Sequence, residues 1–110
     1  MLREQCSTVA KPKILVHPPE DLPYQVVVAY LNNCRESLES LKDAIERVDY
    51  DFLGTYGHRM KGCGGAYGFP QLTETGASIE QAARVRNDED LRNCAAQVEA
   101  HLDSVEVVEP

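Results

Sequence analysis

Tryptophan is absent from this chain and phenylalanine occurs only twice, so no core can be built around large aromatics. The interior has to come from Leu, Val, Ile, Ala, Cys and Tyr, which suits helix packing better than a β-sandwich. No apolar run approaches the roughly 20 residues that a membrane span needs. The N-terminus lacks the apolar block of a secretory signal, so the expected setting is the cytoplasm. Positive charge is scarce: Lys and Arg number 11 against 18 Asp and Glu, a net charge of -7 with the acids spread along the chain. Such a surface repels phosphate backbones and argues against a nucleic-acid partner. A phosphate-cradling Gly-x-x-x-x-Gly-Lys-Ser/Thr loop is missing too, and autophosphorylation is not expected.

Close cysteine pairs are also lacking. Cys6, Cys34, Cys63 and Cys94 are widely and evenly separated, without the short spacings of zinc sites. The last three fall on the apolar registers of three different predicted helices. They are expected to be buried free thiols acting as small hydrophobes, and no metal site is expected.

A chain of 110 residues supports one domain with a single core. Residues 1–20 read as an N-terminal tail followed by a short extended segment, Ile14-Leu15-Val16, ahead of Pro18-Pro19. That segment could pack near the equally β-prone Val105-Glu106-Val107-Val108. From Asp21 the periodicity is helical. Val27, Leu31, Cys34, Leu38, Leu41, Ile45 and Val48 alternate spacings of four and three residues, one face of a helix over about residues 22–48. Pro23 suits its first turn.

After a break at Asp49-Tyr50-Asp51, a second helix carries Leu53, Tyr56, Met60, Cys63 and Tyr67. Gly68 is placed to end it and Pro70 to open the third. The third helix carries Leu72, Gly76, Ile79 and Ala83. Asn87 or Asp88 caps a fourth with Leu91, Cys94, Ala95, Val98, Leu102 and Val105 inward. The predicted architecture is all-α, an antiparallel up-down four-helix bundle over 21–106 with a short N-terminal extension and a C-terminal tail at 107–110.

His58 is the residue this pattern does not use for packing. At about 100° per residue, it lies nearly opposite the centre of the second helix's apolar cluster. On its own face stand Gly54, Lys61, Gly62 and Gly65. A glycine inside a helix costs about 1 kcal/mol relative to alanine, so Gly54, Gly57, Gly62, Gly64 and Gly65 together represent a nominal ~5 kcal/mol. A bland surface would have used Ala, Glu or Lys. Bare backbone around His58 lets another macromolecule approach the imidazole, a nucleophile when neutral and one that ordinarily titrates near pH ~6.5. Lys61, one turn on, offers an ammonium to an anion held there. Of the glycines, Gly64 could serve helix–helix contact. Gly57 finds no individual explanation, and Arg59 suits docking or solubility.

The run His58-Arg59-Met60-Lys61-Gly62, continuing through Gly64-Gly65-Ala66-Tyr67-Gly68-Phe69-Pro70 to Leu72, resembles the histidine-containing phosphotransfer (HPt) domain family. The shared pattern is a histidine, a basic residue three on, glycine directly after it, then a glycine and an apolar residue opening the next helix. The likeness covers approximately residues 22 to 105.

What the resemblance implies is a phosphocarrier. His58 would take a phosphoryl group at Nε2 from a histidine kinase or a response-regulator receiver domain, and return it to a receiver aspartate. Lys61 would stabilise the phosphoryl oxygens. Gly62 would clear room for the receiver's loops, with Gly54, Arg59 and Gly65 completing the docking face. The chain would bind no cofactor of its own, the Mg2+ belonging to the receiver, and would work as a monomer. The rival reading is a non-phosphorylated adaptor bundle using the same face. An enzyme pairing His58 with a cysteine is disfavoured because Cys63 is expected to point inward. His17 and His101 are expected at the surface.

Overall fold

The computed structural model describes residues 13–109; the expected loose N-terminal tail, with Cys6, lies almost wholly outside them. Strand β1 (Ile14–Val16) leads into helices α1 (Tyr24–Glu46), α2 (Tyr50–Cys63), α3 (Pro70–Arg84) and α4 (Asp88–Ser104), and strand β2 (Val105–Val107) follows directly. The fold is therefore all-α in its body, with four helices as the apolar periodicity predicts. Among the described residues no helix is long and apolar enough to cross a membrane.

The helix ends follow local chemistry. Pro23 caps α1 from outside rather than lying in its first turn, and α1 stops at Glu46 because Val48 turns left-handed, with φ 58°. Asp49 accepts a hydrogen bond from Phe52 N–H and starts α2. Of the two predicted caps for α4, Asn87 is the one, accepting from Asp90 N–H. Pro70 sits at the first turn of α3. The second helix is shorter than predicted: it closes at Cys63, and Gly65–Tyr67 form a tighter 3-10 turn that Gly68 ends at φ 99°. Positive φ at that point explains the glycine.

The core comprises Val27, Leu31, Leu41 and Ile45 of α1, Leu53 and Met60 of α2, Leu72 and Ile79 of α3, and Leu91, Val98 and Leu102 of α4. Three expectations need correction. Val48 is exposed, because the left-handed turn carries it off the helical stripe. Cys63 is exposed as well, lying at the end of α2 on the rim of a groove rather than within the core. His101 is half-buried, and neither ring nitrogen has a hydrogen-bond partner among the described residues. His17 is exposed as expected. Conversely Phe69, in the turn before α3, is among the most deeply buried side chains; a turn residue has no periodicity to announce it.

The two terminal segments meet. β1 pairs in parallel with β2, Ile14 opposite Val105 and Val16 opposite Val107, and Val16 is buried. Arg35 of α1 donates to the carbonyls of Leu102 (3.0 Å) and Val105 (3.4 Å), satisfying acceptors that the end of α4 leaves free. At the other end of the helices the Tyr50 hydroxyl donates to Asp88 at 2.7 Å, and Arg86 lies over the Tyr50 ring.

Candidate functional site

The site is built on the crossing of α2 and α3, and glycine makes that crossing close. A Cβ on Gly57 would lie 2.5 Å from Glu80 N and 2.7 Å from Gly76 O, and one on Gly76 would lie 2.5 Å from Lys61 N. Side chains cannot occupy such space, so the backbones touch through these two glycines. Gly57, which the sequence left unexplained, thus belongs to the seam between helices. Gly64 works the same way against Leu72 and Thr73, as its position suggests.

Close approach brings a residue from α3 into the His58 face. Glu80, one turn beyond Gly76, reaches both groups singled out on α2: its Oε2 lies 3.1 Å from His58 Nδ1 and its Oε1 lies 2.9 Å from Lys61 Nζ. The His58 side chain remains 69% exposed and that of Glu80 only 22%, so the carboxylate sits behind the imidazole rather than in front of it. Lys61 foremost, and His58 after it, hold the Glu80 carboxyl below the usual glutamate range. An ionised carboxylate can only accept. Nδ1 therefore donates, and in the neutral ring the lone pair is on Nε2. The arrangement presents one ring nitrogen to solvent as a nucleophile, with a fixed tautomer behind it and an ammonium at its side.

The remaining candidates are distributed unevenly. Gly54 and Gly62 face open space: a Cβ on either would meet nothing within 4 Å among the described residues. Gly54 also borders an open cleft of about 390 Å³ shared with Glu80, Arg84 and Arg86. Gly65 lies past the end of α2, where its N–H donates to Thr73 Oγ1 at 2.7 Å; it is exposed but does not continue the His58 stripe. Arg59 is exposed on the opposite flank, lining a groove between α1 and α2. Among the described residues no group of three or more His, Cys, Asp or Glu could hold a metal ion.

Glu80 is the participant that sequence reasoning missed. The signal was Gly76, a glycine in the apolar register of a helix that otherwise packs on larger side chains. Which residue it admits depends on the partner helix, and periodicity along one helix carries no information about that.

The chain is thus a helical domain with a solvent-facing imidazole, a carboxylate behind it and a lysine beside it. The Hpt domain family model matches residues 25–107, and the chain belongs to that family. Membership implies phosphotransfer in two-component signalling, as a carrier domain rather than a catalyst in its own right. No curated protein and no solved structure matches the chain.

Proposed function

We propose that the chain is a histidine phosphotransfer protein that receives a phosphoryl group on His58 Nε2 and exchanges it with receiver-domain aspartates of response regulators or hybrid kinases. The observation that carries this reading is the double contact of Glu80 with His58 Nδ1 and Lys61. In the forward step the Nε2 lone pair attacks the phosphorus of a receiver aspartyl phosphate, the P–O bond to the carboxylate breaks, and that carboxylate leaves. The ring gains positive charge as the N–P bond forms. Glu80, hydrogen-bonded to Nδ1–H, stabilises that charge, while Lys61 faces the phosphoryl oxygens. Return of the group to a second aspartate reverses these steps.

In this reading Gly54 and Gly62 clear the approach, and Arg59 and Gly65 flank it. The helices form an antiparallel up-down bundle, and the protein acts as a cytoplasmic monomer. Mg2+ is supplied on the receiver and no cofactor by this chain.

Incubation with a phosphorylated receiver tests the reading. Wild type is expected to acquire an acid-labile, base-stable phosphoryl label that His58→Gln does not. Receiver binding without label on wild type would replace the carrier by an adaptor.

A further inference from the structure

The groove on the other side of α2 holds two cysteines that the His58 chemistry leaves unused. Cys34 of α1 and Cys63, the last residue of α2, both line this cavity of about 500 Å³ together with Tyr30 and Met60. Side-chain contacts across the groove set the register of its two walls. Ser37 Oγ and the Tyr56 hydroxyl lie 3.1 Å apart, and the rings of Tyr30 and Tyr67 stack with centroids 4.2 Å apart and planes within 4°. Position numbers thus fall on α1 as they rise along α2 and its 3-10 extension. Cys34 stands one turn from Tyr30, and Cys63 stands about one turn from Tyr67. Both cysteines therefore stand in the same stretch of the groove, between the Ser37–Tyr56 contact and the stacked tyrosines.

The thiols also differ in a useful way: Cys63 is exposed and Cys34 is buried. Burial is the main influence raising the Cys34 thiol, Tyr30 opposes it through a hydrogen bond, and the charge of nearby Cys63 adds to it. An oxidant in solution reaches Cys63 first, with Cys34 held behind it as a resolving thiol. Cys94, buried on α4, does not line the groove.

We propose that Cys34 and Cys63 are a peroxide-oxidisable thiol pair whose disulfide ties α1 to the end of α2. Cys63 sulfur attacks one oxygen of hydrogen peroxide, the O–O bond breaks and water leaves, giving a sulfenic acid. Cys34 sulfur then attacks the Cys63 sulfur, the S–O bond breaks and a second water leaves. Two thiols and one peroxide yield one disulfide and two waters, with two electrons passing from sulfur to peroxide. The unfilled groove gives the helices room to draw to the Cα spacing below ~7 Å that a disulfide requires. Its formation is independent of whether His58 carries phosphate.

The reduced full chain, treated with a modest excess of hydrogen peroxide, alkylated and digested without reductant, provides the test by mass spectrometry. The expected main product is a monomer lighter by two hydrogens, containing a Cys34–Cys63 cross-linked peptide and reverting with dithiothreitol. Its thermal midpoint should lie above that of the reduced chain. C6S and C94S should cross-link as wild type does, C63S should form no such bridge, and C34S should leave a Cys63 sulfenic acid that dimedone traps. A wild-type product dominated by Cys63 sulfinic acid, by intermolecular dimers, or by bridges to Cys6 or Cys94 would overturn the proposal. Unreacted thiols would do the same.

Discussion

Glu80 gives His58 and Lys61 a common partner, and the two oxygens of one carboxylate divide the work. One fixes the imidazole tautomer and the other anchors the ammonium. Glu80→Gln keeps the shape but loses the charge, leaving an amide that can donate to Nδ1 and favour the wrong tautomer. Phosphoryl uptake from a phosphorylated receiver should slow by about tenfold, or ~1.4 kcal/mol of barrier. The imidazole nitrogen chemical shifts should move at the same time, and a variant with wild-type rates and shifts would remove Glu80 from the chemistry. Gly62 tests approach rather than chemistry. A Cβ there meets nothing within 4 Å among the described residues, so Gly62→Gln should leave folding stability unchanged or raise it by up to ~1 kcal/mol yet obstruct transfer. Unimpaired transfer by this variant would contradict the cleared-surface argument.

At the level of elements, the α1–α2 and α3–α4 connections are the same turn used twice. Each helix ends, one residue goes left-handed (Val48 or Arg86, both at φ 58°), and an Asp or Asn then caps the next helix. Positive φ is poorly suited to a β-branched residue. Val48 is also 49% exposed, so it returns little burial for that strain. Val48→Asn should stabilise the domain by ~1 kcal/mol, visible in calorimetry as a midpoint several degrees higher. An unchanged or lower midpoint would show that the Val48 side chain packs usefully. The turns also explain which elements were legible. Helix registers show in the spacing of Val27, Leu31 and Leu41, because a 3.6-residue period needs only one chain segment. The departure of Val48 from that register depends on the backbone reversing, which the spacing does not record.

For the whole molecule, acid sensitivity follows from groups with depressed folded pKa values, His101 and Glu80 among them. Burial holds His101 below the usual histidine value, in a cavity beside Val16, Phe69 and the paired termini. The unfolded chain therefore takes up that proton at higher pH than the native one. The associated stability is full above about pH 6.5 and is lost as pH falls through that unfolded value toward the folded one. Glu80 acts in the same direction in a lower window. Its contribution is full above about pH 4.3 and disappears as pH drops through the lowered value. Between about pH 7.5 and 5.5 the thermal midpoint of wild type should therefore fall, and His101→Leu should flatten that decline. An identical decline in the variant would place the titrating group elsewhere.

The amino-acid sequence alone determined the four helices, the start of α3 at Pro70 and of α4 at Asn87 or Asp88, the outward face of His58 with Lys61 beside it, and the β-prone character of the two terminal segments. Each is written in short-range spacing or local chemistry, which a single strand of residues carries complete. Only the tertiary structure decided that Gly57 and Gly76 let two backbones touch, that Glu80 thereby stands behind His58, and that Cys34 and Cys63 line one open groove. It also drew His101 half into the fold. Those outcomes depend on how one helix is rotated and offset against another, and that choice belongs to the packed core as a whole.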